Sequence, residues 1–137
     1  AADRMDVYLA RQHLAQGAAN SLDDLQDLVR RFRDERDWEQ FHTPKDLAAA
    51  IGIEAAELQE LFLWQDTDAQ AATVADRNEA VRHEIADVVI LALAFAEATG
   101  IDLGAAILEK LRVNGEKYPA DQVRGSAAKY TDLGREN

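Results

Sequence analysis

Two pairs of acidic residues stand where helices should be greasy. Glu54 and Glu57 lie in IGIEAAELQELFLW (51–64), and Glu84 and Asp87 in HEIADVVI (83–90). At about 100° per residue, positions three apart project from one side of a helix, about 60° from each other. On the first stretch Ile51, Ala55, Leu58 and Phe62 make an apolar stripe, extended by Leu61, Ile53 and Trp64. Glu54 and Glu57 fall inside that arc. On the second, Ala80, Leu91, Ala94 and Phe95 share the side of Glu84 and Asp87. An isolated buried carboxylate is costly and drifts toward its protonated form, and two on one turn also repel. A hard divalent cation removes the conflict: Mg²⁺ and Mn²⁺ take oxygen ligands, and Mg²⁺ keeps several waters. A pair from each of two facing helices makes an acidic cup, with Glu54, Glu57, Glu84 and Asp87 as its expected metal ligands. Glu60 continues the first series at the edge of the arc. It can take a second metal, activate a water or simply stay solvated. A chain with 26 acidic residues produces i, i+3 pairs by chance, mostly facing solvent. What separates these two pairs is their place inside apolar arcs, in the middle of the two greasiest helices.

Other chemistries lack their residues. There is no cysteine, which excludes disulfides and thiolate metal sites. A di-iron bundle needs Glu-x-x-His, but His83 directly precedes Glu84, and His13 and His42 lie elsewhere. The seven glycines are scattered, with no P-loop and no G-x-G-x-x-G. Ser21 and Ser126 are the only serines, and no Ser/His/Asp set forms around them. All-oxygen ligation of Mg²⁺ or Mn²⁺ points to phosphate chemistry, with water attacking phosphorus.

The elements that position the acids are helices. Only two prolines occur, Pro44 and Pro119, and alanine, leucine, glutamate and arginine dominate. Residues 3–16 read as helical or frayed, broken by Gly17 and Asn20. Ser21 reads as an N-cap with Asp24 three residues on, starting a helix that ends near Trp38 and carries Leu22, Leu25, Leu28, Val29 and Phe32 on one face. Thr43-Pro44 starts a second helix, running to about Trp64. DTDAQ (66–70) reads as a polar connection. A third helix runs from around Thr73 or Asp76 to Thr99 and ends at Gly100. Its second half is apolar almost all round, which makes it the central helix. Asp102 caps a fourth helix to about Lys117, and Pro119 stops it. The expected fold is all-α: one domain over 1–137 resembling a four-helix bundle, with an N-terminal extension (1–20) and an irregular tail (119–137).

Composition narrows the partners. The 137 residues suit one domain, and 47% are apolar. A net charge of −11 argues against a nucleic-acid polymer as partner, yet leaves room for a small phosphate ligand held through metal ions. The longest apolar run, IADVVILALAFA, is too short to span a bilayer and contains Asp87. With no signal-type pattern and no cysteine, the expectation is a cytoplasmic protein without a membrane partner.

The pattern E-x-x-E followed by E-x-x-D on two helices resembles the all-α nucleoside triphosphate pyrophosphohydrolases of the MazG-like superfamily, most nearly the dCTP pyrophosphatase branch. The stretches ERDWEQFH (35–42), AELQELFLW (56–64), HEIADVVI (83–90), KYP (117–119) and RGSAAKYTDL (124–133) carry the likeness, which spans roughly 21–133. The resemblance implies a MazG fold and Mg²⁺-dependent hydrolysis of a dNTP to the monophosphate and pyrophosphate, with Glu54, Glu57, Glu84 and Asp87 as ligands. It implies that Trp38, Glu39, Gln40, Phe41, His42 and Trp64 line the nucleotide pocket, where an indole can stack on a base. His42, Lys45 and Lys110 can meet phosphates, the Asn114 amide can pair with a base edge, and Tyr118 can stack or donate.

Two positions depart from the family pattern. Its base-contacting histidine falls at Val29 and its pocket tyrosine at Leu91, so hydrogen-bonding groups are lost and base discrimination should weaken. Relatives of this kind assemble as homo-oligomers, dimers or tetramers, and the helix over 84–97 is apolar on more sides than one layer covers. The expected function is hydrolysis of dCTP or a modified dCTP, keeping the nucleotide pool clean. The alternatives are the same chemistry on dUTP or on a broad range of bases, and a non-catalytic bundle that binds nucleotides or proteins.

Overall fold

A computed structural model describes residues 21–127. Among these residues there are six α-helices and no strand: α1 (Leu22–Glu35), α2 (Pro44–Glu60), α3 (Thr67–Asp76), α4 (Asn78–Thr99), α5 (Leu103–Lys117) and α6 (Ala120–Val123). A 3₁₀ turn, Glu39–Phe41, links α1 to α2. The expected helix over 3–16 and the KYTDL segment (129–133) lie outside the described residues.

Local capping sets most starts. The side chains of Ser21, Thr43, Asp66 and Asp102 each accept from the backbone N–H three residues on, at 3.1, 3.2, 2.8 and 3.0 Å. Each bond satisfies one otherwise orphaned amide, worth about 1 kcal/mol. Pro44 occupies the first turn of α2, where its missing N–H costs nothing. Gly100 ends α4 at φ 70, a left-handed conformation glycine adopts without Cβ strain, and its N–H donates to the Ala96 carbonyl.

Four boundaries differ from the sequence expectation. α1 stops at Glu35 rather than Trp38, because Asp37 turns left-handed at φ 54. α2 stops at Glu60, and Trp64 is also left-handed at φ 62. The DTDAQ segment is not a connection: Asp66 caps α3, and α4 begins separately after Arg77, at φ −113 and ψ 34. The tail beyond Pro119 is not wholly irregular, since α6 adds one short turn of helix.

The chain forms two compact units, one through Ile101 and one from Asp102 onward. In the first, α4 is the hub and packs against α2 above all, then α1 and α3. Its second half supplies Leu93, Ala94 and Ala96 to the core, and α2 adds Leu47. Gln26 Nε2 donates to Glu97 Oε2 at 3.0 Å, tying α1 to α4. The buried Thr73 hydroxyl donates to Gln65 Oε1 at 2.9 Å, and Gln70 Nε2 donates to the Gln65 carbonyl at 3.0 Å, pinning the α2–α3 connection. In the second unit α5 presents Ile107, Leu108 and Leu111 at its surface. Among the described residues no single helix is long and apolar enough to cross a bilayer.

Candidate active site

The acids meet where α2 packs on α4. One carboxylate oxygen from each of Glu54, Glu84 and Asp87 lies within 4.8 Å of the others. Glu54 and Glu84 are half-buried, while Glu57 and Asp87 are exposed. The wheel is therefore right for one acid of each pair and too generous for the other. It is too generous again for Ile53, 60% exposed, and for Trp64, 99% exposed, neither of which joins the buried stripe. Glu60 is exposed.

Electrostatics mark the cluster as strained without a counter-charge. Glu54 Oε2 and Glu84 Oε2 are shut away from solvent with no hydrogen-bond partner. Ionised carboxylates cannot donate to one another, so a proton, a cation or a donor from outside the cluster must satisfy them. The Glu54 carboxyl is pushed up to about 7, first by hydrogen bonding with Glu57, then by burial and the charges of Glu57, Asp87 and Glu84. Glu84 is raised as well, by burial first and then by the Glu57 charge. An oxygen-only donor set with two unsatisfied buried oxygens fits a hard divalent cation.

The other expected site residues fall in three places. The first is the α1–α2 connection. There the Trp38 ring meets Phe32 edge-on at 5.8 Å and stays 43% exposed. Glu39, Gln40 and Phe41 are exposed on the 3₁₀ turn. Gln40 Nε2 donates to the Asp37 carbonyl at 3.1 Å, so it braces the backbone turn. His42 is half-buried, its Nδ1 closed off without a partner, and burial, then Arg33, lowers its pKa. Lys45 is exposed on the first turn of α2. The second place is the end of α2, where Trp64 projects into solvent. The third is the second unit, where Lys110 and Tyr118 are exposed and Asn114 is half-buried.

Val29 lies on α1 and Leu91 on α4. Val29 lines an open apolar cavity of about 480 Å³ between α1 and α4, with Leu25, Phe32, Val89, Ile90 and Leu93. On the helical wheel, at about 100° per residue, Ala86, Val89 and Leu93 lie roughly opposite Glu84, Asp87 and Leu91, while Ile90, three residues after Asp87, falls between the two sides. Sequence reasoning overlooked Phe32 and Arg36 as neighbours of Trp38. Their meeting depends on the left-handed Asp37, for which an aspartate gives only a weak signal.

The described residues are all helical, and the carboxylate cup between two of these helices could hold a divalent cation and suits hydrolysis of a phosphate. Residues 49–133 match the model of the MazG-like family, and the chain belongs to that family. It is 42% identical over 118 residues to dCTP pyrophosphatase 1 of Rattus norvegicus, covering 84% of this chain and 69% of the relative. To dCTP pyrophosphatase 1 of Homo sapiens it is 40% identical over 116 residues, covering 82% and 68%. The crystal structure of a pyrophosphatase from Archaeoglobus fulgidus superposes with a TM-score of 0.68 at 40% identity, covering 72% of this chain and 92% of the other. The chain is a nucleoside triphosphate pyrophosphatase of the dCTP pyrophosphatase branch.

Proposed function

We propose that this enzyme hydrolyses a deoxynucleoside triphosphate, dCTP or a modified dCTP, to the monophosphate and pyrophosphate in the cytoplasmic nucleotide pool. The curated relatives named for dCTP support this substrate. The chemistry rests on one observation above the others: three carboxylates within 4.8 Å, two of them carrying buried oxygens without partners. Glu54, Glu84 and Asp87 would hold Mg²⁺, or Mn²⁺ in its place, and Glu57 would complete the ligand set. When bound, the cation neutralises phosphate charge and lowers the pKa of a water. Glu54, whose carboxyl stands at about 7 beside Glu57 before any cation binds, would give up its proton on joining the ligand set. Glu60, exposed one turn further along α2, stands ready as a second acidic group. Trp38 and Trp64 offer indole faces to a base. Glu39, Gln40, Phe41, His42 and Lys45 accompany Trp38 on the α1–α2 connection and the start of α2; in the second unit, Lys110, Asn114 and Tyr118 are further candidate substrate contacts of α5 and its end.

The enzyme acts as a homo-oligomer, a dimer or tetramer, with a second copy over the α1–α4 cavity. Support comes from the exposed Leu25, Phe32, Val89 and Ile90 around that cavity. The described residues leave this apolar surface open, and an assembly would cover it.

A pyrophosphate-release assay with dCTP, dTTP, dATP, dGTP and dUTP tests the substrate, run with Mg²⁺, with Mn²⁺ and with EDTA. The expected result is fastest turnover of dCTP, abolished by EDTA. Equal rates on every base would overturn the dCTP assignment, and undiminished rates in EDTA would overturn the metal. The apolar Leu91, on the carboxylate side of α4, favours a relaxed preference as the second reading, because it cannot hydrogen-bond to a base edge.

A further inference from the structure

Trp38 is held more firmly than an exposed indole requires. The residue before it, Asp37, adopts φ 54, a left-handed turn that aspartate tolerates better than most side chains. The backbone side of the clasp is clear. Trp38 N–H donates to the Arg33 carbonyl at 3.0 Å, and Gln40 Nε2 donates to the Asp37 carbonyl at 3.1 Å. The side-chain side is built around Arg36. Its guanidinium carbon lies 3.5 Å above the centre of the Phe32 ring and 6.0 Å from that of Trp38. Its Nη1 also donates to the Phe32 carbonyl at 3.0 Å. The Phe32 and Trp38 rings themselves meet at 71°, edge to face.

Exposure separates the roles of the two side chains. Arg36 is only 19% exposed, while Trp38 keeps 43% of its surface in water. An arginine that merely satisfied a helix-end carbonyl would reach it from solvent and need no aromatic ring. Here the cation fills the angle between two rings, within the roughly 6 Å reach of a cation–π attraction. Its flat guanidinium suits that stacking as a lysine ammonium does not. The result is an indole fixed on one side and open on the other. Fixing a recognition ring before the ligand arrives removes part of the entropy cost of binding.

We propose that Arg36 is a positioning residue for the substrate: stacked on Phe32 and beside Trp38, it fixes the attitude of the Trp38 indole so that its open face receives the nucleobase. This rests on the reading of Trp38 as a base-stacking residue given above. Arg36 acts on binding and leaves the chemical step alone. Loss of its side chain therefore raises KM with kcat unchanged, the signature of binding energy shared by ground and transition states.

The chain has two tryptophans, so a Trp64→Phe background makes Trp38 the sole indole reporter. In that background, time-resolved fluorescence anisotropy is measured for Arg36→Gln and for Arg36→Lys, which keeps the charge and a helix-end donor. Both variants should show fast local motion of Trp38 that is absent with Arg36. With both tryptophans present, Arg36→Gln should raise KM for the best dNTP about threefold to tenfold, the range expected from one cation–π contact, with kcat within about twofold. In a Trp38→Ala background the same change should add nothing further, since it acts through the indole. Unchanged anisotropy in both variants overturns the proposal, as does an additive KM effect. If Trp38→Ala raises KM but Arg36→Gln does not, the positioning role fails and the stacking reading survives. If Trp38→Ala leaves KM unchanged, the stacking reading falls and takes the proposal with it.

Discussion

Metal affinity should depend on pH through Glu54, and the size of the effect follows from its shifted pKa. The carboxyl has a value about 7 against an ordinary 4.5. A cation can bind only after the proton leaves, so apparent affinity falls as that carboxyl becomes protonated. With a value near 7 the group is about nine-tenths ionised at pH 8 and about one-tenth at pH 6, so apparent Kd should rise about tenfold between them. Glu84 is raised too, which steepens the dependence. Calorimetric titration with Mg²⁺, or Mn²⁺ titration followed by electron paramagnetic resonance, at pH 6, 7 and 8 measures it directly. Glu54→Gln should bind more weakly at pH 8 and show a shallower dependence. The metal-free chain gives the opposite sign for stability. Between 4.5 and about 7 the folded state holds a proton that the unfolded chain has lost. The contribution of Glu54 is therefore fully present below the unfolded value and is lost as pH rises through about 7, so melting temperature should fall over that window. Equal Kd at pH 6 and pH 8, or an unaltered slope in Glu54→Gln, would refute the coupling of this carboxyl to the cation.

Two further outcomes are expected. Glu57→Gln should lower pyrophosphate release by at least about 100-fold, on the scale of losing a catalytic group. Its metal-free melting temperature should not drop, because a like charge beside Glu54 and Glu84 has gone; wild-type turnover would remove Glu57 from the ligand set. Ile90→Asp, on the wall of the α1–α4 cavity, should reduce the mass measured by light scattering while helical circular dichroism persists; an unchanged mass would place the interface elsewhere.

The parts of this molecule that its sequence discloses are those governed by short-range chemistry. Ser21, Thr43 with Pro44, and Asp102 mark helix starts because each cap needs only a side chain and an amide three residues away. Gly100 marks an end because few other residues take its φ of 70. The α3–α4 break at Arg77 has neither glycine nor proline, so the two helices read as one with a late start. The acid cluster is legible for a different reason. It violates the periodicity around it, and a violation on two helices at matching spacing implies a shared ligand.

Burial is where periodicity misleads. A helical wheel says which residues share a face, but not whether another element covers it. Ile53 and Trp64 lie on the apolar arc of α2 and are nonetheless exposed, and Val89 and Ile90 on α4 stand open beside the cavity. Yet Leu93, one turn beyond Ile90, is only 2% exposed, so α4 passes from covered to uncovered surface within a few residues. Side-chain apolarity stays constant across that boundary while the packing partner changes. Leaving such side chains in water forgoes about 25 cal/mol for each Å² of apolar surface. The second copy proposed over the cavity would return these side chains to apolar surroundings. That saving is the physical ground for proposing a second copy over the cavity, whose Val89 and Leu93 wall lies away from the carboxylates on α4.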